Sequence, residues 1–226
     1  MENSMYRRLL MLPIFNGLTT GELTQIIAQI HLDFSQHSDG ETIVSQDDRC
    51  DRLIYVLSGQ VECEYRDPEN RFTLSELMGQ PFLLEPSKLY GMSQRYDHSY
   101  TTLEPVDTVT ISKRDFNNVM LNYSIVKTNI LNMLCARIQH LTKLTREAEP
   151  GTVQKKLVQF LRRHVYTPKG QKTLYINMET LAMLIQETRL NVSFALRNLN
   201  QQGLIDQPRR GQILIPDMQT LIIHNA

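Results

Sequence analysis

Apolar and polar positions change their rhythm along the chain, and each change marks a different kind of element. Over residues 18–30, LTTGELTQIIAQI, the residues Leu23, Ile26, Ile27 and Ile30 fall at spacings of 3, 1 and 3, one face of a short amphipathic helix. Thr19 or Thr20 can cap it, with Glu22 in the first turn. From Leu32 to about Ser112 the pattern shortens to β-rich runs: DFSQH, ETIVSQ, RLIYVLSG, QVECEYR, RFTLSEL, YTTLE and DTVTIS. Turn signals separate them at Asp39-Gly40, Ser58-Gly59, Asp67-Pro68, Met78-Gly79 and Glu104-Pro105. Many short strands at this spacing predict a sandwich or small barrel. Leu53–Leu57 and Gln60–Tyr65 read as a hairpin about Ser58-Gly59.

From Lys113 to Ala148 the rhythm is helical, with no Gly or Pro between Lys113 and Glu149. Ile130, Leu134, Ile138, Leu141 and Leu144 step by 4, 4, 3 and 3, averaging the 3.5 of a coiled coil. The positions between them (Asn132, Arg137, Gln139, His140, Lys143) are polar, so the stripe reads as a homodimer seam; the alternative is that it packs on its own barrel. Pro150-Gly151 breaks the helix and is the best domain boundary. Thr152–Val165 is a second amphipathic helix, with Val153, Leu157, Phe160, Leu161 and His164 or Val165 inward and Lys155, Lys156, Arg162 and Arg163 on its other faces. Thr167 to Gly170 turn the chain, and Lys172–Ile176 reads as a short strand.

Asn177 to Ile205, NMETLAMLIQETRLNVSFALRNLNQQGLI, reads as two short helices joined tightly. Asn177 caps the first, which buries Leu181, Leu184 and Ile185. Residues 186–188 turn the chain, and Thr188 can cap the second helix. There Val192, Ala195, Leu196 and Leu199 share one side. Leu190, Ser193, Phe194, Arg197 and Gln201 lie opposite, with Arg189 at their edge. In a helix-turn-helix the start of the second helix reaches base edges in the major groove. Arg189 can donate a bidentate pair to guanine, Asn191 or Ser193 can bond base edges or phosphate, and Arg197 reaches a phosphate. Leu190 and Phe194 either meet thymine methyls or pack on a neighbouring element. Gly203 ends the helix. Leu204-Ile205 and Gln212–Pro216 then flank DQPRRG, a hairpin or "wing" whose Arg209 and Arg210 would lie on the DNA backbone; a solvated turn is the plainer reading of that tip.

Charge sharpens this picture. The formal net charge is zero, yet residues 1–126 hold 10 Lys+Arg against 18 Asp+Glu and residues 127–226 hold 14 against 6. An acidic half followed by a basic half suggests that the second meets a polyanion. Cys50, Cys63 and Cys135 are sparse and odd in number, without a C-x-x-C, which argues against a disulfide scaffold, a zinc ribbon or an iron–sulfur cluster. No apolar run is long enough to span a membrane. The basic and apolar start, MENSMYRRLLMLPIF, is cut by Pro13 with no small-residue cleavage site after it, so a cytoplasmic protein is expected.

The order of these parts resembles the Crp/Fnr family of bacterial transcription regulators, over nearly the whole chain. GETIVSQDDRCDRLIYVLSGQVE resembles the strand–turn–strand of the family's sensor, with Gly40 and Gly59 at its turns. T-R-x-x-V-S-x-x-L, from Thr188 to Leu196, matches its recognition helix, and Gln202-Gly203-Leu204-Ile205 matches the exit. Two departures matter. Members that sense cyclic AMP share a Gly-Glu segment followed by Arg-Ser; here Gln80-Pro81 stands at the first and no Arg-Ser follows. The resemblance therefore implies that cyclic nucleotide is not the effector or binds weakly. The family's Arg-Glu-x-x-x-Arg base readers become Arg189-Leu190-x-x-x-Phe194, implying the same docking on a different target. Members with an iron–sulfur cluster need cysteines near the N-terminus, and none precedes Cys50. Haem would need His31, His37 or His98, which read instead as surface histidines.

The resulting expectation is an α+β chain. It has an N-terminal jelly-roll-like β-roll over 1–116, a dimerisation helix over 117–149 and a winged helix-turn-helix over 150–226. It would be a homodimeric DNA-binding regulator, gated by an effector lodged among Cys63, Glu85, Tyr90, Arg95, His98 and Ser99, and partnered by RNA polymerase. Two other classes fit the chain less well. A cupin-like enzyme lacks H-x-H, a spaced metal-ligand set, an activated nucleophile and a phosphate loop. A protein-binding adaptor does not account for the basic C-terminal half and the wing arginines.

Overall fold

A computed structural model of the chain describes residues 9–79, 81–146 and 151–225. It divides into two compact units, residues 1–61 with 79–140 and residues 62–78 with 141–226. The architecture is the expected α+β one, and no helix among the described residues is long and apolar enough to cross a membrane.

In the first unit Leu9, Leu12, Ile14 and Phe15 are buried, so these apolar residues are part of the core. Helix α1 (Thr20–Ile27) carries the expected cap as a reciprocal capping box. Thr19 N donates to Glu22 at 2.8 Å and Glu22 N donates to Thr19 Oγ1 at 3.2 Å. Strands β1 (Leu32–His37), β3 (Arg52–Ser58), β6 (Phe82–Leu83) and β8 (Val106–Ser112) form an antiparallel sheet in the order β1-β8-β3-β6. Leu53, Ile54, Tyr55 and Val56 are buried in succession, the pattern of a strand covered on both faces. Strand β2 (Thr42–Val44) pairs with β7 (Ser99–Thr102).

The hairpin expected at Ser58-Gly59 does not form. Strand β3 pairs with β8 and β6, whereas β4 (Val61–Arg66) takes its place in the other sheet. Gly59, at φ +86°, makes the crossing. A Cβ there would lie 2.5 Å from the Pro105 carbonyl oxygen and 2.7 Å from the Val106 side chain, so only glycine fits. Strong turn chemistry marked the corner correctly, but not the partner of the next strand.

The helix expected from Lys113 onward is interrupted. Helix α2 (Lys113–Asn118) is capped by Ser112 and ends at Val119; a short 3₁₀ turn over Met120–Asn122 precedes α3 (Ser124–Arg146). The asparagines explain the break without Gly or Pro: the Asn122 amide donates to the Asn118 carbonyl at 2.7 Å, competing with the helical ladder. Residues 147–150, with the break at Pro150, lie outside the described residues. The residues of the expected seam divide by burial: Ile130 and Leu144 are buried within the chain, at 7% and 2% exposure. Leu134 is half-buried, while Leu131, Ile138 and Leu141 are exposed. The outward stripe is thus Leu131, Leu134, Ile138 and Leu141, a regular 3-4-3 spacing.

The second unit is built on a sheet that joins distant segments. Strands β4, β5 (Phe72–Met78), β9 (Lys172–Ile176) and β10 (Gln212–Ile215) run in the order β10-β9-β5-β4. Phe72 pairs with Ile176 and, four residues on, Glu76 with Lys172. Phe72 and Leu74 enter one core with residues of helices α4 (Val153–His164), α5 (Met178–Leu184), α6 (Arg189–Gln201) and α7 (Met218–His224). Phe72 meets Phe160 edge-on at 5.2 Å. The Glu76–Lys172 ion pair, 2.9 Å long, is 1% and 0% exposed. Burial is tolerable because the pair is fully hydrogen-bonded: Lys172 Nζ also donates to the Lys169 carbonyl at 2.6 Å and to Thr167 Oγ1 at 3.3 Å. Glu76 accepts from the backbone amides of Tyr166 and Thr167. At the hairpin's tip Arg71 clasps Asp67 through two nitrogens, at 2.9 and 2.8 Å.

The wing differs from expectation in its pairing. Strand β10 pairs along its length with β9, whereas the segment after α6 contributes a single bridge, Asp206 to Leu214, with hydrogen bonds of 2.7 and 2.8 Å.

Two stability measurements check these assignments. Removing one member of a buried pair strands the other, so Lys172→Met is expected to lower stability to urea by about 3–5 kcal/mol, with lost amide protection in both β5 and β9; a loss under ~1 kcal/mol would assign the pair no role in holding the hairpin. The Arg71 guanidinium holds the Asp67 carboxyl down at about 2. This depressed value makes its stabilisation complete above the unfolded value of about 4 and lost as pH falls towards 2. Asp67→Asn should flatten that acid limb and leave the neutral-to-alkaline profile unchanged in shape.

Candidate nucleic-acid interface

The reading element is assembled by caps. Strand β9 ends at Ile176, and the next residue, Asn177, accepts a hydrogen bond from Thr180 N at 2.7 Å and starts α5. Leu181 and Ile185 are buried as expected, Leu184 half-buried. Gln186, at φ +53°, turns the chain, and Thr188 caps α6 by accepting from Asn191 N at 3.2 Å. The turn is tied to α4: Lys156 Nζ bonds Glu187 at 2.7 Å, and Glu187 also accepts from the Asn191 amide at 3.1 Å. These two bonds, Lys156 first, hold the Glu187 carboxyl below the usual carboxylate range. Helix α6 buries Val192, Ala195, Leu196 and Leu199 and is stopped by Gly203 at φ +70°.

Its other face is open. Arg189, Leu190, Phe194 and Arg197 are exposed and Ser193 is partly so. Leu190 and Phe194 therefore have no covering element among the described residues. Asn191 is engaged through its amide nitrogen with Glu187, which leaves it a positioning contact for the turn. Asn177 and Thr188 spend their side-chain oxygens on caps, so their part is to place the helices. Arg209 and Arg210 are exposed at the wing tip, where Gly211, at φ +79°, closes the turn; Arg209 Nε bonds Gln212 at 2.7 Å. A groove of about 340 Å³ runs between α6 and the wing, with Asn177, Glu179, Arg189, Ser193, Arg209 and Arg210 among its walls.

On this face the sequence reading missed Glu179. Its carboxylate meets the Arg189 guanidinium at 3.0 Å, with both side chains largely exposed. A solvated pair of this kind is worth little, so it orients Arg189 without trapping it. An acid in the first turn of a helix beside a free arginine was the available signal.

The candidate effector residues divide into two groups. Glu85 and His98 are both buried, and His98 Nδ1 lies 2.7 Å from the Glu85 carboxylate. Glu85 also accepts from the backbone amides of Asp97 and His98, at 2.8 and 3.0 Å, and from Tyr100 Oη at 3.2 Å. His98 is thus no surface histidine: it is a member of a buried polar cluster. His31 is exposed, and His37 is paired with Glu41 and Thr108. Tyr90, Arg95 and Ser99 bond elsewhere. Tyr90 bonds Asn117 under the Lys113 ammonium, the exposed Arg95 donates to the Asp47 carbonyl at 2.6 Å, and Ser99 accepts from Gln46 N at 2.9 Å. Cys63 is buried in the second unit. Gln80 lies outside the described residues; the acid buried in this stretch is Glu85, five positions further on. Sequence reasoning missed Tyr55 and Tyr100, both fully buried; the Tyr55 hydroxyl has no hydrogen-bond partner among the described residues, and burial pushes its ionisation far upward.

Comparison with known proteins agrees with this geometry. Residues 35–123 match the family model of the cyclic nucleotide-binding domain, and residues 155–222 match that of the Crp-like helix-turn-helix domain. The chain is similar to a "CRP-like cAMP-activated global transcriptional regulator" of Mycobacterium tuberculosis, 26% identical over 92% of this chain and 94% of that one. Among solved structures it is similar to the Thermus thermophilus catabolite activator protein, with a TM-score of 0.51 at 22% identity over 95% of this chain and 98% of that one. A crp/fnr-family transcriptional regulator of Eubacterium rectale gives 0.52 at 21% over 94% and 97%. At these identities the two structures speak for the fold.

Proposed function

Because the chain belongs to the Crp/Fnr family of transcription regulators, we propose that it works as a cytoplasmic homodimer that reads a near-palindromic operator and addresses RNA polymerase from there. The observation that carries this reading is the two-sidedness of α6: one face fully committed to the core, the other offering Arg189, Ser193 and Arg197 to solvent beside the wing arginines. Arg189 reads a guanine through its bidentate donor edge, while Arg197, Arg209 and Arg210 neutralise phosphates. Two copies pair along Leu131, Leu134, Ile138 and Leu141, setting their recognition helices one DNA turn apart, about 34 Å. The functional division is a β-roll over 1–116, a dimerisation helix over 117–149 and a winged helix-turn-helix over 150–226.

The β-roll takes an effector around Glu85, His98 and Tyr100, and that effector is not a cyclic nucleotide. A cyclic phosphate needs a charge-assisted donor. Among the described residues of the first unit, the buried polar groups are Glu85, His98, Thr102, Thr108 and the hydroxyls of Tyr55, Tyr96 and Tyr100, and no lysine or arginine is buried there. Adding cyclic AMP should accordingly leave the thermal midpoint of the protein unchanged; a saturable rise would overturn this point.

Three further measurements test the reading. Arg189→Ala should weaken binding to the specific operator by about 1–3 kcal/mol and relax the choice of base at one position. Arg209→Ala should weaken specific and random DNA alike and lower the salt slope by about one; equal loss of specificity from both variants would contradict the division of labour. Cys50 and Cys63 are buried and Cys135 is exposed on the seam helix, so a short bis-maleimide should capture a covalent dimer through Cys135. Cys135→Ser should abolish that product and Ile138→Glu should greatly reduce it.

A further inference from the structure

Helix α6 holds two large apolar side chains in solvent, Leu190 at 64% and Phe194 at 56% exposure, one turn apart on the same face. They are set among cations: Arg189 precedes them, the Arg197 guanidinium lies over the Phe194 ring at 5.8 Å, and Arg209 and Arg210 share the adjoining groove with Arg189. An apolar protein partner would have to bury those guanidinium groups, which is costly; a polyanion is drawn to them. Within a DNA major groove the apolar feature on offer is the 5-methyl group of thymine. Facing a G·C edge instead, Leu190 or Phe194 would strip water from donors and acceptors without replacing the lost hydrogen bonds.

We propose that Leu190 and Phe194 each read the methyl group of a thymine in every operator half-site, beside the guanine taken by Arg189. The helix rises ~1.5 Å per residue, so the two contacts lie ~6 Å apart, about two base pairs. Arg197 fixes the Phe194 ring and carries the adjoining phosphate contact, which couples the reading of one base to the docking of the backbone. This deepens the function proposed above and rests on it: the two outward apolar residues of α6 set which bases the operator carries beside the guanine.

The test uses the full-length protein and a duplex selected from random sequence, titrated by fluorescence anisotropy. Each thymine is then replaced in turn by deoxyuridine, which removes the methyl group and keeps the base pair. Two positions per half-site, about two base pairs apart, should each lose ~4-fold in affinity, the worth of one buried methyl-sized group. Leu190→Ala should erase the loss at one position and Phe194→Ala at the other. Both residues are exposed, so the variants keep their fold, which unchanged affinity for random DNA verifies. Insensitivity of the native protein to every deoxyuridine overturns the inference while leaving the DNA-reading function intact. So does a variant that binds the operator normally but no longer engages RNA polymerase. Failure to enrich any sequence, with no binding at low salt, instead removes the function on which the inference rests.

Discussion

A lysine and a glutamate that never meet water fix the place of the DNA-reading element. Glu76 and Lys172 face each other across β5 and β9, each with its remaining hydrogen-bonding capacity met by neighbouring groups. Such a pair is a poor source of stability against an apolar replacement, because the desolvation of two charges offsets most of their attraction. Its value is in register. Strand β5 could slide by two residues along β9 and keep its apolar alternation, but Glu76 would then be buried without its cation. That alternative is ruled out by several kcal/mol, so the strand order β10-β9-β5-β4 has one alignment.

Everything downstream inherits that alignment. Strand β9 runs into α5 through the single capping residue Asn177, so the first helix of the reading element has almost no linker in which to lose its direction. The turn after it is bound back to α4 by Lys156 and Glu187, and Glu187 in turn holds Asn191 at the start of α6. The exposed side chains of α6 are thus carried on a helix restrained at its N-terminal end and along its buried face. Restraint of this kind is what base reading needs, since a misplaced guanidinium forfeits the bidentate geometry from which its discrimination comes. The outer face takes no part in the core, so it can present Leu190 and Phe194 without disturbing the inner one.

Local chemistry made much of this legible. The caps at Thr19, Asn177 and Thr188, the buried stripe of α6, the stop at Gly203 and the seven longer strands of the β region all follow from short-range rules that the structure obeys. What the sequence could not supply was pairing between distant segments. Ser58-Gly59 is a good corner whether the chain returns along itself or crosses to another sheet, and contact with Pro105 and Val106 decides. Residues 130 and 131 are both apolar, so a 4-4-3-3 and a 3-4-3 stripe fit the same helix until Val126 and Ile130 are seen to be buried. Strand β6, two residues long, is below the length at which alternation can be read. Glu85 and His98 stand apart in sequence, and nothing local signals that one carboxylate gathers two backbone amides, an imidazole and a phenol.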